Sequence, residues 1–439
     1  MSSFQPWHIQ HLELSDPIPP ELALETGYQG VCVVFWWHQI PLGHCEFLAT
    51  QLPIPATHLI NIAVQTITPA AGDRLFEHGF NAPLPIVRKR SPQKTLPNFD
   101  AVMALKRPLA ELAERSICPD QTSVSVVVCT RDRPAPLVDC LRSLQELVPP
   151  PSEIVVVDNA PTSDATRQQV AQFPNVRYVV EPQPGLSVAR NTGIRYTTGD
   201  LIAFTDDDVR VHPSWISHIQ QTFCDPQIMA MTGLVLPGEL ETEAQVIFEK
   251  GLGGFGQGYR IKTFDQYFFK AMSDRGVPVW RIGAGANMAF RRTVFERVGD
   301  FDERLGAGAA GCSEDSELWY RILTDGGVCR YEPSAVVFHF HRGSLDSLKQ
   351  QAFQYMRGHV AALLIQFQNH GHWGNLHRLG VALPRYYSKL VQQGLRNGLR
   401  NRYSTLFAEI SGCLSGIRFY LSDRRSQKSL KGDRPLKKA

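Results

Sequence analysis

The chain has 439 residues, 43% of them hydrophobic and 20% charged, with 34 Gly, 30 Pro and 9 Cys. That composition excludes a disordered chain, which would carry fewer apolar residues and a larger net charge, and the length predicts two to three domains at about 100 to 200 residues each. The net charge of +3 conceals a split: Trp373–Ala439 holds 14 Lys and Arg against three acids, a net of +11, while the preceding 372 residues carry a net of −8.

A basic tail on an acidic body points to a polyanionic partner for the tail. The first 30 residues carry Glu13, Asp16, Glu21 and Glu25 and no basic opening, which argues against a secretory leader. No apolar stretch approaches the ~18 to 20 residues that a spanning helix needs. Nine scattered cysteines with no CxxC pair predict reduced thiols and a cytoplasmic setting.

In chain order, Val31–Trp37 (VCVVFWW), a turn-like HQIPLG and HCEFLA predict a β-hairpin in a small β-rich N-terminal domain over 1–95. His38, His44 and Cys45 lie there without a second spaced pair, and read as hairpin side chains rather than metal ligands. Pro83, Pro85, Pro92, Pro97 and the run Arg88–Arg90 mark an exposed linker, with a helical lead-in over 96–122. From 123 to 345 apolar runs alternate with amphipathic segments. VSVVV, EIVVVD, VRYVVE and LIAFTDDD read as buried strands, with helices over 137–147, near 164–172 and over 186–196 between them. Strands of continuous apolar character separated by helices build a doubly wound α/β sheet, and ligands in such sheets sit at the strands' carboxyl ends.

Three strands end in polar residues that would meet at that edge: Thr130, Arg131 and Asp132 after the first, Asp158 after the second, and Asp206, Asp207 and Asp208 after the fourth. Three adjacent carboxylates repel one another unless a cation sits among them, and a hard divalent ion shared with substrate phosphates suits such a set.

The run VSVVVCTRDRP, IVVVDNAPTSD, GLSVARNTG, GDLIAFTDDD, GAGANMAFRRTVFERVGDFDERL and SEDSELWYRIL, in this order over about Val124–Gly343, resembles the family 2 glycosyltransferases. The resemblance implies a GT-A-type mixed sheet with a nucleotide-binding half and an acceptor half, and an inverting transferase that uses a nucleotide diphosphate sugar, by default a UDP-sugar. It implies that Asp158, with Thr130, Arg131 and Asp132 beside it, binds the donor nucleotide, and that Arg190, Asn191, Asp207 and Asn287 also face the donor. Asp206 and Asp208 would form the DxD pair holding Mn²⁺ or Mg²⁺, with His339 and His341 as further metal contacts. Asp315 would be the general base that takes the acceptor hydroxyl proton, and Glu314 would orient it or touch the acceptor. The competing explanations are a GT-A-fold nucleotide-sugar-binding or regulatory protein without turnover, and a sugar nucleotidyltransferase, whose Gly-rich opening is replaced here by CTRDRP.

GLGGFG (251–256) and GAGAAG (306–311) satisfy GxGxxG but follow no apolar strand of a βαβ unit, and read as loops able to close over donor. Beyond the catalytic segment, 346–425 reads as C-terminal amphipathic helices. Leu406, Ile410, Leu414, Ile417 and Leu421 form one stripe and arginines surround it, which predicts contact with an anionic membrane at the inner face of the cytoplasmic membrane. The end, 426–439, reads as a basic disordered tail. No aromatic interleaving supports nucleic-acid binding. The expected acceptor is a saccharide or a lipid-linked sugar, in polysaccharide or cell-envelope glycan synthesis.

Overall fold

A computed structural model of the protein describes residues 4–77, 110 and 122–432, with side chains to 425. The expected linker with its prolines and RKR run, most of the 96–122 lead-in, and the basic tail lie outside the described residues.

The N-terminal hairpin forms as its alternation requires. Strand β1 (Trp7–Glu13) is followed by the short β2 (Glu21–Leu22), then β3 (Gly30–Trp37) and β4 (Ile40–Leu48) pair antiparallel, with Trp37 opposite Ile40. The two-residue loop His38–Gln39 has φ of 45° and 67°, the mirror-image turn whose twist matches the strands. β1 runs parallel to β3, and β5 (Ile54–Pro55) pairs with β2.

The unit is less purely β than its sequence suggests, because the 22-residue helix Ala56–Glu77 packs on β4. Its β-branched residues and Pro69 conceal a helical repeat in which Leu59, Ala63, Ile67, Ala70 and Leu75 are buried. The end of this helix is tied to the main sheet by Arg74–Glu332 at 2.8 Å, buried on both sides, and by Glu77–Arg330 at 2.6 Å.

The main sheet contains β6 (Val124–Thr130), β7 (Glu153–Asn159), β8 (Val176–Glu181), β9 (Leu201–Asp206), β10 (Val209–Val211), β11 (Ile228–Pro237), β12 (Lys262–Phe264), β13 (Asn287–Arg291) and β14 (Val328–His339). Its order is β10-β14-β11-β13-β9-β6-β7-β8, with β12 added on β14. The half β8-β7-β6-β9 is parallel, β13 joins antiparallel to both β9 and β11, and β11 is parallel to β14. This is the expected mixed sheet, with apolar clusters on both faces.

The expected C-terminal helices are present, and Leu345–His370 and Leu406–Gly432 pack as a pair. A Cβ at Gly412 or Gly416 would stand 2.3 Å from the Phe353 carbonyl or 2.5 Å from that of Arg357, so glycine permits this close approach. No helix among the described residues is long and apolar enough to cross a membrane. One expectation fails: Cys224 is disulfide-bonded, while Cys32, Cys45, Cys129, Cys140, Cys312, Cys329 and Cys413 are free. Spacing along the chain cannot reveal a bond between cysteines that only folding brings together.

Candidate active site

Register builds the site. β6 and β7 pair with Thr130 opposite Asp158, and β6 and β9 with Cys129 opposite Asp206, so three strand ends finish level on one edge. On β7, Asp158 is fully buried and accepts a 2.7 Å bond from the Tyr178 hydroxyl through Oδ2, while Oδ1 has no protein partner. Burial raises its proton affinity. A buried carboxylate oriented on one side and left with an unpaired oxygen on the other has one acceptor to spare for a nucleobase or ribose donor. Arg131 stands half exposed beside Asp132, which accepts the backbone N–H and the hydroxyl of Thr162, each at 2.9 Å.

After β9 the three aspartates separate into two roles. Asp207 turns inward and accepts from Thr130 Oγ1 at 2.6 Å and from Arg133 at 2.5 Å, with burial pushing its carboxyl up to about 7. Asp206 and Asp208 turn the other way, and with His339 they place three ligand atoms within 4.8 Å of one another. Burial alone would raise Asp208, but the 3.2 Å contact with His339 Nε2 and the 2.9 Å pair with Arg133 hold its carboxyl well below the usual range. Oxygen and imidazole donors at this spacing suit Mn²⁺ or Mg²⁺. His341 does not join them. Its Nε2 lies 2.6 Å from Glu249, its ring is 4.7 Å from that of His339, and Phe255 of the first Gly-rich loop packs against both rings.

The expected acceptor side lies at the helix Glu314–Thr324, entered through Ser313 at φ 71°. Burial first, and the adjacent Glu314 second, push the Asp315 carboxyl up to about 7, although Arg190 works against them. Arg190 is buried between the two sides: Nη1 lies 2.5 Å from Glu314 and Nη2 lies 3.5 Å from both Asp206 and the Gly285 carbonyl. Its guanidinium is thus committed to carboxylates of both halves.

Besides Asp207, two residues expected at the donor spend their polar atoms within the protein. Asn191 donates to the carbonyl of Phe301 at 3.0 Å and accepts from its N–H at 2.9 Å, which fixes the loop ahead of the acceptor helix. Asn287 accepts from Trp215 Nε1 at 2.9 Å and donates to the carbonyls of Leu234 and Ala335 at 3.0 and 2.8 Å, which joins β13, β11 and β14. The sequence reading also passed over Arg133, Tyr178, Glu249 and Phe255. Arg133 stood in the quoted CTRDRP run, but only the fold shows it reaching two aspartates 74 and 75 residues away.

The second Gly-rich loop is seated rather than loose: the Leu186 N–H donates to Ala307 O at 2.8 Å, and Gly306, Gly308 and Gly311 take left-handed φ values. In the N-terminal unit His38 lies in the exposed turn and Cys45 contacts Thr66 at 2.9 Å, while His44 clusters with Cys32 and Glu46. The Lys250 ammonium already neutralises Glu46 at 2.9 Å.

Residues 125–299, from β6 through β13 to the end of the helix Thr293–Val298 that follows it, match the family model for glycosyl transferase family 2. This stretch of the mixed sheet, less than half of the chain, is thus similar to glycosyl transferase family 2. Over 263 residues it is 28% identical to a pre-mycofactocin glycosyltransferase of Mycobacterium tuberculosis, covering 58% of this chain and 49% of that one. Over 269 residues it is 26% identical to the succinoglycan biosynthesis protein ExoM of Rhizobium meliloti, covering 58% and 79%. The chain therefore spans about half the length of the mycobacterial relative. Among solved structures, a mannosyltransferase of Pyrobaculum calidifontis in complex with GDP-Man and Mn²⁺ superposes at a TM-score of 0.47 with 17% identity, over 68% of this chain and 88% of that one.

Proposed function

We propose that the protein is a cation-dependent inverting glycosyltransferase that moves a sugar from a nucleotide diphosphate sugar, with UDP-sugars favoured, to a hydroxyl of a saccharide or lipid-linked acceptor. The observation that carries this reading is the meeting, on one sheet edge, of the Asp206–Asp208–His339 cluster and the proton-accepting Asp315, with Arg190 between them.

Asp158 holds the nucleotide through its unpaired Oδ1 once the edge above it admits the donor. Asp206, Asp208 and His339 would hold Mn²⁺ or Mg²⁺, which when bound neutralises charge on the departing diphosphate. Asp315 takes the proton from the acceptor hydroxyl, whose oxygen bonds to the anomeric carbon as the bond to the diphosphate oxygen breaks. One base and, among the described residues, no second carboxylate assigned as a nucleophile favour a single displacement, hence inversion. Glu314, fixed by Arg190, positions Asp315 and the acceptor. The relatives' names favour work in glycan synthesis, and we place the protein peripherally at the inner face of the cytoplasmic membrane.

The test is thermal unfolding with UDP-, GDP- and dTDP-sugars, each with and without Mn²⁺. A ligand at 100 times its dissociation constant adds ~2.7 kcal/mol to the folded state. A rise for one nucleotide class that needs the ion is expected. No rise with any of them would favour a fold retained without a working donor site.

A further inference from the structure

The helix Leu406–Gly432 is apolar on two sides. One side is used: Leu406 and Tyr420 are buried, Ile410, Cys413 and Ile417 are packed, and Gly412 and Gly416 meet the Leu345–His370 helix. The stripe expected from the sequence therefore divides, since Leu414 and Leu421 do not follow Leu406 inward. They align instead with Phe407, at intervals of seven residues or two helical turns, and the three are 67%, 61% and 48% exposed. Among the described residues, nothing covers more than about half of any of these three side chains.

Charge selects the occupant. Arg418 and Arg425 are exposed one turn beyond Leu414 and Leu421, so a basic row runs beside the apolar one. From 373 to 425 there are only two carboxylates, Glu409 and Asp423. Glu409 is buried against Arg402 at 2.6 Å, and Asp423 faces Arg304 at 4.0 Å. The preceding helix, Leu383–Arg396, adds exposed Arg385, Lys389 and Arg396 with no acid among them. A second copy of the chain would bring arginines against arginines, with no carboxylate on either face to receive them. An anionic bilayer surface accepts both rows at once, with apolar side chains among the acyl chains and guanidinium groups at the phosphates.

We infer that the outer face formed by Phe407, Leu414, Leu421, Arg418 and Arg425 docks on anionic lipid. This gives the membrane placement proposed above a surface, and it makes no use of the catalytic residues. The experiment is flotation of the full chain with neutral phosphatidylcholine vesicles and with vesicles holding about 30 mol% phosphatidylglycerol, at low and high salt. Binding to the anionic vesicles alone, lost at high salt, is expected. Each arginine near such a surface is worth about a five-fold change in partitioning, so Arg418→Gln with Arg425→Gln should lose roughly twenty-five-fold. The triple variant Phe407→Ser, Leu414→Ser, Leu421→Ser should lose about ten-fold or more while still unfolding cooperatively, because about half or more of each replaced side chain is already in water.

Equal binding to neutral vesicles, no binding at all, or unchanged binding by the triple variant would overturn the inference. So would a dimer in light scattering that the triple variant abolishes, which would give the face to a second copy. Donor-induced stabilisation of the same sample reads the transferase proposal separately.

Discussion

The proposed donor edge and the proposed acceptor edge each present a pair of carboxylates, and one member of each pair is driven the opposite way from the other: Asp208 is lowered and Asp315 is raised, while burial raises Asp206 as it does Asp315. At the donor edge His339 and Arg133 hold Asp208 below the ordinary carboxylate range, so that it stays ionised and ready for a cation. At the acceptor edge burial and Glu314 push Asp315 up to about 7, so that it can take a proton and release it near neutrality. Carboxylates whose environments drive their proton affinities apart mark different chemical assignments. Arg190 touches both sets through Asp206 and Glu314, so its charge is shared between them.

The sharpest way to break that division is Asp315→Asn, which keeps the shape and removes the proton acceptor. Transfer should fall by about a hundred-fold to ten-thousand-fold, while nucleotide-induced stabilisation in the presence of Mn²⁺ stays near wild type. Substantial residual transfer would move the base elsewhere. Asp208→Ala attacks the other side and should weaken ion-dependent donor binding about 100-fold or more. Calorimetric titration of the nucleotide with and without Mn²⁺ checks it, and ion-dependent affinity equal to wild type would remove Asp208 from the cation site.

A smaller effect tests what lies behind the edge. Asn287→Ala strands the buried Trp215 N–H and two strand carbonyls, and should cost ~3 kcal/mol of stability with KM for donor unchanged in the protein that folds. A raised KM at unchanged stability would return Asn287 to the donor. The contrast between Asn287 and Asp158 also shows how much the sequence could tell. Apolar runs of the β6 to β9 type announce a buried parallel sheet, and the sheet's register then brings Thr130, Asp158 and Asp206 level. That the polar residues at the ends of such runs meet on one edge was therefore readable. Which of them face a ligand was not readable, because Asn191, Asn287 and Asp207 spend their polar atoms on Phe301, Trp215 and Thr130, each 70 residues or more away in the chain. The helix Ala56–Glu77 was hidden for a local reason, since Ile, Thr and Val at its core positions favour strands in isolation.

The last test uses pH to separate the two edges within one protein. A base held at about 7 limits transfer below that value, so the rate should rise about ten-fold per pH unit towards pH 7 and then level. The same elevation has an opposite consequence for stability. Between the ordinary aspartate value of 3.8 and about 7 the folded state retains a proton on Asp315 that the unfolded chain has released, so this group's contribution to stability falls as pH rises through the window. Asn at 315 carries no such proton. Denaturant unfolding of wild type and Asp315→Asn across pH 4 to 8 should therefore show the variant gaining on wild type as pH increases, in the same interval where wild-type transfer accelerates. Asp208, depressed rather than raised, predicts the reverse for Asp208→Asn, which should lose ground to wild type as pH rises through the acid range. Parallel behaviour of the two variants would mean that the edges share one electrostatic environment, and the separate assignments of cation ligand and base would fail together.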